Sequence, residues 1–125
     1  MAVKVVDASA LAALLFGEPD GAIVADRLRG AELIAPALLQ FEVANTCIKK
    51  IRRHPAQRNA LIAAFGMLGR MNVGIVEVEQ EEAIVLAERS GLSAYDASYL
   101  WLARESRSEL VTLDARLEAA SAADV

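Results

Sequence analysis

Val3-Lys4-Val5-Val6-Asp7-Ala8-Ser9-Ala10-Leu11 is the stretch from which the fold is read. Its first four residues form a short, mostly β-branched run suited to a buried parallel strand, and Asp7 stands where that strand ends. A helix from about Ala8 to Phe16 follows directly. A strand feeding a helix, repeated along a chain, requires right-handed crossovers and a mainly parallel sheet covered by helices on both faces.

The rest of the chain repeats this alternation. Gly17-Glu18-Pro19-Asp20 punctuates it, with Asp20 expected to cap a second helix carrying Ile23, Val24 and Leu28, ended by Gly30. Leu33-Ile34-Ala35 reads as a second strand. Pro36 then turns the chain into a long helix through about Arg53, with Phe41, Ala44, Ile48 and Ile51 expected as its apolar face. Pro55 opens a helix through Leu68, and Val73 to Val78 alternates as a third strand. Helices are expected over Glu81 to Arg89 and Ser93 to Arg107. The latter is apolar almost all round, which places it deep in the fold with Tyr95, Tyr99 and Trp101 as core or dimer-interface residues. Leu110 to Leu113 is the fourth strand, and the Ala-rich tail from about Ala119 is expected to fray. Residues 1–125 thus read as a single α/β domain, three-layered, with four or five short strands.

Composition narrows the function. Hydrophobic residues make up 55% of the 125-residue chain and charged residues 24%, which excludes a disordered chain and leaves apolar surface for a partner. The 13 Lys+Arg and 17 Asp+Glu give a formal charge of −4, so nucleic acid must be held by a local basic patch and not by bulk charge. Cys47 is the single cysteine, which rules out an internal disulfide and suits a reducing cytoplasm. The apolar start is not a membrane segment: Asp7 interrupts it, and no run nears the ~20 residues needed to span a bilayer.

In an open α/β sheet, ligands bind outside the carboxyl ends of the strands. Asp7 and Asp114 both end strands, and Glu42 and Asp96, on helices, are placed to complete an acidic cluster. Singly, each acid has an ordinary structural role. Asp7 and Asp114 precede helices as caps, Ser93-Ala94-Tyr95-Asp96 has capping-box spacing, and Glu42 shares a solvated stripe with Asn45 and Lys49.

Together their surroundings say more. Val5-Val6-Asp7-Ala8-Ser9-Ala10-Leu11, Phe41-Glu42-Val43-Ala44-Asn45, Leu92-Ser93-Ala94-Tyr95-Asp96-Ala97-Ser98-Tyr99-Leu100 and Leu110-Val111-Thr112-Leu113-Asp114 resemble the successive motifs of PIN-domain nucleases. They stand in the family's order across nearly the whole chain, and the third is the most specific. The resemblance implies a PIN-like α/β/α fold in which Asp7, Glu42, Asp96 and Asp114 are catalytic, metal-binding acids supported by Ser9, Asn45 and Thr112. Within the family, the short chain is similar to the VapC-like toxins. That implies an endoribonuclease with an RNA substrate, a homodimer, and a VapB-like antitoxin whose C-terminal segment lies over the active-site groove. Where some family members carry one more acid or amide after the fourth carboxylate, this chain has Arg116 and Leu117.

Elementary electrostatics agrees with a metal. Two carboxylates ~5 Å apart repel by roughly 3 kcal/mol at an effective dielectric near 20. Protonation or a cation relieves this, and an all-oxygen donor set selects Mg²⁺ or Mn²⁺ over zinc. Such an ion needs no protein nucleophile. His54, the single histidine, lies in a basic segment and is not read as catalytic. Lys49, Lys50, Arg52 and Arg53 form the densest positive cluster, complementing a helix end and available to an RNA backbone.

Two other classes fit less well. A receiver domain requires a second acid beside Asp7 and a phosphoryl-accepting Asp after the third strand, where the chain has Ala8 and Glu77-Val78-Glu79. A catalytically silent PIN-like interaction module has no need of all four acids. No Gly-rich phosphate loop is present.

Overall fold

β1 (Val3–Val6) lies inside the sheet of the computed structural model, which describes residues 1–123. It pairs in parallel with β2 (Glu32–Ala35) on one side and with β4 (Glu109–Val111) on the other. β3 (Gly74–Ile75) joins the far edge of β2, giving the order β3-β2-β1-β4 with every pairing parallel. Val5 and Val6 are fully buried, as expected of an interior parallel strand covered on both faces. The register pairs Val5 with Ile34 and with Leu110, and Val6 with Val111, which sets the carboxyl ends of β1 and β4 side by side.

Helices α1 (Ala8–Leu15), α2 (Gly21–Leu28), α3 (Leu38–Arg53), α4 (Arg58–Gly66), α5 (Gln80–Ser90), α6 (Ala94–Glu105) and α7 (Ala115–Ala122) make the crossovers. Leu11, Val24, Leu39, Val43, Tyr99, Leu100, Leu102 and Leu117 meet the strands in one apolar core. The three-layer α/β/α expectation holds. Among the described residues, no helix is long and apolar enough to cross a membrane.

Several local expectations are corrected. The third strand is two residues long instead of six. β2 ends at Ala35, Val76 N still donates to the Ala35 carbonyl at 3.0 Å, and Pro36 then turns away without an N–H to continue the ladder. β4 closes at Val111, because the Leu113 N–H turns to the Ser9 hydroxyl at 2.9 Å. Asp20 precedes α2 but caps nothing with its side chain; its backbone carbonyl accepts from Val24 N at 3.1 Å. The helix expected from Pro55 to Leu68 is α4 flanked by 3-10 turns at Pro55–Gln57 and Met67–Arg70.

The apolar face of α3 is also reassigned. Leu39, Val43 and Cys47, spaced four apart, face the core, whereas Phe41 is 76% exposed and Ala44 and Ile48 face outward with it. In α6, Ala97 to Leu100 are buried as expected, but Tyr95 is 67% exposed and is not a core residue. Trp101 is half-buried and donates from Nε1 to Glu82 at 3.1 Å, tying α6 to α5. The Ala-rich tail is helical through Ala122 with Ala120 buried; its last two positions lie outside the described residues.

Candidate active site

Asp7 sits at the junction of β1 and α1, where its backbone N–H donates to the Val111 carbonyl at 3.2 Å. Its side chain, 5% exposed, caps α1 by accepting from Ala10 N at 3.0 Å on Oδ1. The Ser9 hydroxyl donates to the same oxygen at 2.8 Å, and the Thr112 hydroxyl donates to Oδ2 at 2.6 Å. Each hydroxyl has one proton, so with both committed to Asp7, the 3.3 Å approach of Ser9 Oγ to Thr112 Oγ1 holds no further bond. Ser9 and Thr112 then serve as acceptors, from Leu113 N and Asp114 N respectively. Two short polar side chains thereby stitch the end of β1 to the chain leaving β4.

Asp114 caps α7, accepting on Oδ1 from Arg116 N at 2.9 Å and Leu117 N at 3.1 Å. Asp96 stands in the first turn of α6, where its N–H donates to the Ser93 hydroxyl at 3.1 Å; that bond is one half of the capping box read from the sequence. Glu42, half-buried on α3, accepts the Tyr99 hydroxyl on Oε1 at 2.7 Å.

Burial pushes the Asp7 carboxyl above its ordinary range; the bonds from Thr112, Ala10 and Ser9 act against this, and the charge of Asp114 adds to it. Glu42 is raised by burial, opposed by the Tyr99 bond and reinforced by Asp96 and Asp7. Asp96 is raised by burial and by Asp114, against the pull of Arg116. These repulsions close into a ring: Asp7 with Asp114, Asp114 with Asp96, Asp96 with Glu42, Glu42 with Asp7. The Tyr99 phenol is held far above its usual range, first by burial and then by donating to Glu42, so it remains a donor.

The donor set suits a hard divalent cation. Asp114 Oδ2, Glu42 Oε2 and both Asp96 side-chain oxygens take no hydrogen bond among the described residues, and Asp7 Oδ2 takes one. Among those residues, no three acids stand together as a finished ligand cage.

The supporting residues divide. Ser9 and Thr112 hold Asp7 directly, whereas Asn45 is exposed on α3 and makes no hydrogen bond to the acids. Lys50 has a structural engagement: it pairs with Glu18 at 2.6 Å, and its ammonium lies 5.7 Å from the centre of the Phe16 ring. Lys49, Arg52 and Arg53 are exposed and enter no ion pair among the described residues. At 1.5 Å rise per residue they lie about 10–16 Å along α3 from Glu42, with Lys49 and Arg53 on its stripe. Sequence reasoning missed Tyr99, although its position three residues after Asp96 puts both on one side of α6. It also missed how Arg116 is held, through Nη2 donating to the Gly91 carbonyl at 2.7 Å.

A parallel α/β/α sheet with four acids gathered at its carboxyl end is the architecture of a PIN domain, and the model of that family matches residues 4–123. The chain belongs to the PIN-domain family. It is 40% identical over 120 residues to ribonuclease VapC9 of Mycobacterium tuberculosis, covering 90% of this chain and 87% of that one. Ribonuclease VapC3 of Pyrobaculum aerophilum is 34% identical over 119 residues, 90% of each chain. Among solved structures, PAE2754 from P. aerophilum superposes with a TM-score of 0.77 at 28% identity, over 100% of this chain and 91% of that one. VapC20 of M. tuberculosis, a toxin that cleaves the sarcin-ricin loop, shares the fold with a TM-score of 0.66 at 21% identity, over 98% of each chain.

Proposed function

We propose that this protein is a VapC-type endoribonuclease that hydrolyses RNA phosphodiester bonds with Mg²⁺ or Mn²⁺ and acts as the toxin of a toxin–antitoxin pair. The observation carrying this reading is geometric: one hydroxyl, that of Thr112, is bonded both to Asp7 at the end of β1 and to the backbone of Asp114 beyond β4, while Tyr99, one turn after Asp96 on α6, is bonded to Glu42 on α3. A domain stable by about 5–15 kcal/mol retains such a cluster at a cost in stability, and a cation offsets that cost. The ribonuclease relatives support the RNA substrate.

Asp7, Glu42, Asp96 and Asp114 would hold the ion. When bound, it supplies Lewis acidity toward a phosphate oxygen and lowers the pKa of a water. The chain supplies the rest. Ser9, Ala10 N and Thr112 fix the Asp7 carboxylate in one orientation, and Asp114 is fixed by the first turn of α7. Lys49, Arg52 and Arg53 attract the RNA backbone along α3, leading a phosphate toward Glu42. Water as the attacking group leaves 5′-phosphate and 3′-hydroxyl ends.

A VapB-like antitoxin covering the acids and a cytoplasmic site of action belong to the same reading. So does a homodimer, supported by the outward Phe41, Ala44 and Ile48 of α3, to which a second copy gives cover. The test is cleavage of RNA by purified protein with Mn²⁺, with and without excess EDTA, and mapping of the product ends. Metal-dependent cleavage with 5′-phosphate ends is expected. Cleavage that survives EDTA, or 2′,3′-cyclic ends, would defeat the mechanism.

A further inference from the structure

Tyr99 is the largest fully buried side chain in the core, 1% exposed, and its ring would pack there equally well as phenylalanine. A buried hydroxyl must find a partner. Ser98, its neighbour, finds one within α6 by donating to the Ala94 carbonyl at 2.8 Å. The phenol reaches further and crosses to α3, where it donates to Glu42 Oε1 at 2.7 Å, 57 residues away in sequence.

The consequence lies at the carboxylate. Glu42 has three side-chain torsions, and without a partner it samples many positions. The bond from Tyr99 anchors one oxygen on the core side and leaves Oε2 without a donor. Asp96 is one turn before Tyr99 on the same side of α6. One helix, buried from Ala97 to Leu100, therefore supplies one acid of the ring and the anchor of another.

We propose that Tyr99 is a positioning residue that orients Glu42 so that its second oxygen is presented to a divalent cation. The role rests on the reading of Glu42 as a ligand. It differs from ordinary core packing in that its effect passes through a single carboxylate.

The experiment measures Mn²⁺ affinity by titration calorimetry on the wild type, Tyr99→Phe, Glu42→Gln and the double variant, each first checked for folding by circular dichroism. Loss of a group that orients a metal ligand typically weakens metal binding 10–100-fold. Tyr99→Phe is expected near the lower end, about ten-fold, with RNA cleavage recovering as Mn²⁺ is raised and KM for RNA unchanged. The double variant should bind no more weakly than Glu42→Gln alone, because residues acting through one contact are not additive. Should Tyr99→Phe fail to fold, Tyr99→Met serves instead: a flexible apolar side chain fills the core, removes the hydroxyl, leaves Glu42 intact, and should show the same roughly ten-fold loss. Wild-type affinity in Tyr99→Phe, or losses that add in the double variant, overturns the positioning role. Wild-type affinity in Glu42→Gln overturns the assignment of Glu42 as a ligand, and the role of Tyr99 falls with it.

Discussion

The Thr112 hydroxyl donates to Asp7 Oδ2 at 2.6 Å across 105 residues of sequence, and the hydroxyl oxygen itself accepts from Asp114 N at 3.0 Å. One small side chain thus orders two acids of the ring. Thr112→Val keeps the shape and removes both bonds, leaving a buried carboxylate short of a donor. A loss of about 1–3 kcal/mol is expected, which lowers the melting temperature of a domain this size by about 4–12 °C. RNA cleavage should fall as well. Unchanged melting and cleavage in Thr112→Val would mean that Ser9 and Ala10 N suffice.

Asp7→Asn should abolish cleavage yet leave the metal-free protein at least as stable as wild type. Burial and the charge of Asp114 both disfavour the ionised carboxyl, and Asn can still accept from Ala10 N to cap α1. Melting in EDTA and in Mn²⁺ separates the effects, since a ligand stabilises the native state by RT ln(1 + [L]/Kd). Wild type should gain from Mn²⁺ and the variant much less. A variant that is weaker in EDTA but gains the same increment makes Asp7 a structural residue.

Stability without metal should rise on mild acidification. Asp7, Glu42 and Asp96 have folded-state pKa values raised above 3.8, 4.5 and 3.8, so the native state takes up protons before the unfolded chain does. Their favourable contribution is complete below those unfolded values and is lost as pH climbs through the folded ones. Glu109, lowered first by its bond from Arg27, works in the opposite sense as pH falls below its unfolded value of 4.5. Melting in EDTA as the pH is lowered from about 7 toward those unfolded values should therefore show a gain from these three groups that shrinks in Asp7→Asn. The increment from Mn²⁺ should run the other way and grow with pH, because protons and the ion compete for the same oxygens. A metal-free melting curve that falls steadily from pH 7 would contradict the ring of repulsion.

Neutralising Lys49 and Arg53 should weaken RNA binding and make it less sensitive to salt, the slope dropping by about 0.7 for each phosphate of a single strand that is no longer neutralised. Lys50→Gln should affect folding more than RNA, because Glu18 and Phe16 already engage that ammonium. Binding titrations across salt concentrations, set beside thermal melts, distinguish the two. Equal slopes in wild type and Lys49→Gln/Arg53→Gln would confine these cations to complementing the helix end.

The parallel sheet and its helical crossovers were legible because the β-branched runs of β1 and β2 and the acid ending β1 are local signals, whereas the strand order β3-β2-β1-β4 is set by long-range pairing. The face of α3 was not. Phe41, Ala44, Ile48 and Ile51 and the set Leu39, Val43, Cys47 both have helical spacing, and periodicity alone does not say which meets the core. The short β3 depends on where a neighbouring strand stops, which a run of alternating residues does not encode. At the site, the capping roles of Asp7, Asp114 and Ser93-Asp96 were readable from local sequence, whereas their grouping with Glu42 came only from the resemblance to PIN-domain motifs. Tyr99 was hidden, because its hydroxyl matters only through a glutamate on another helix.

Pairing β1 with β4 has a consequence for the order in which the protein is made. Residue 7 is synthesised before the strand that lies beside it and the acid that follows that strand, which arrive more than a hundred residues later. Until then Asp7 lacks the hydroxyl of Thr112, and the ring lacks Asp114. A chain that has not yet delivered β4 therefore lacks both the strand and hydroxyl that order Asp7 and the carboxylate of Asp114.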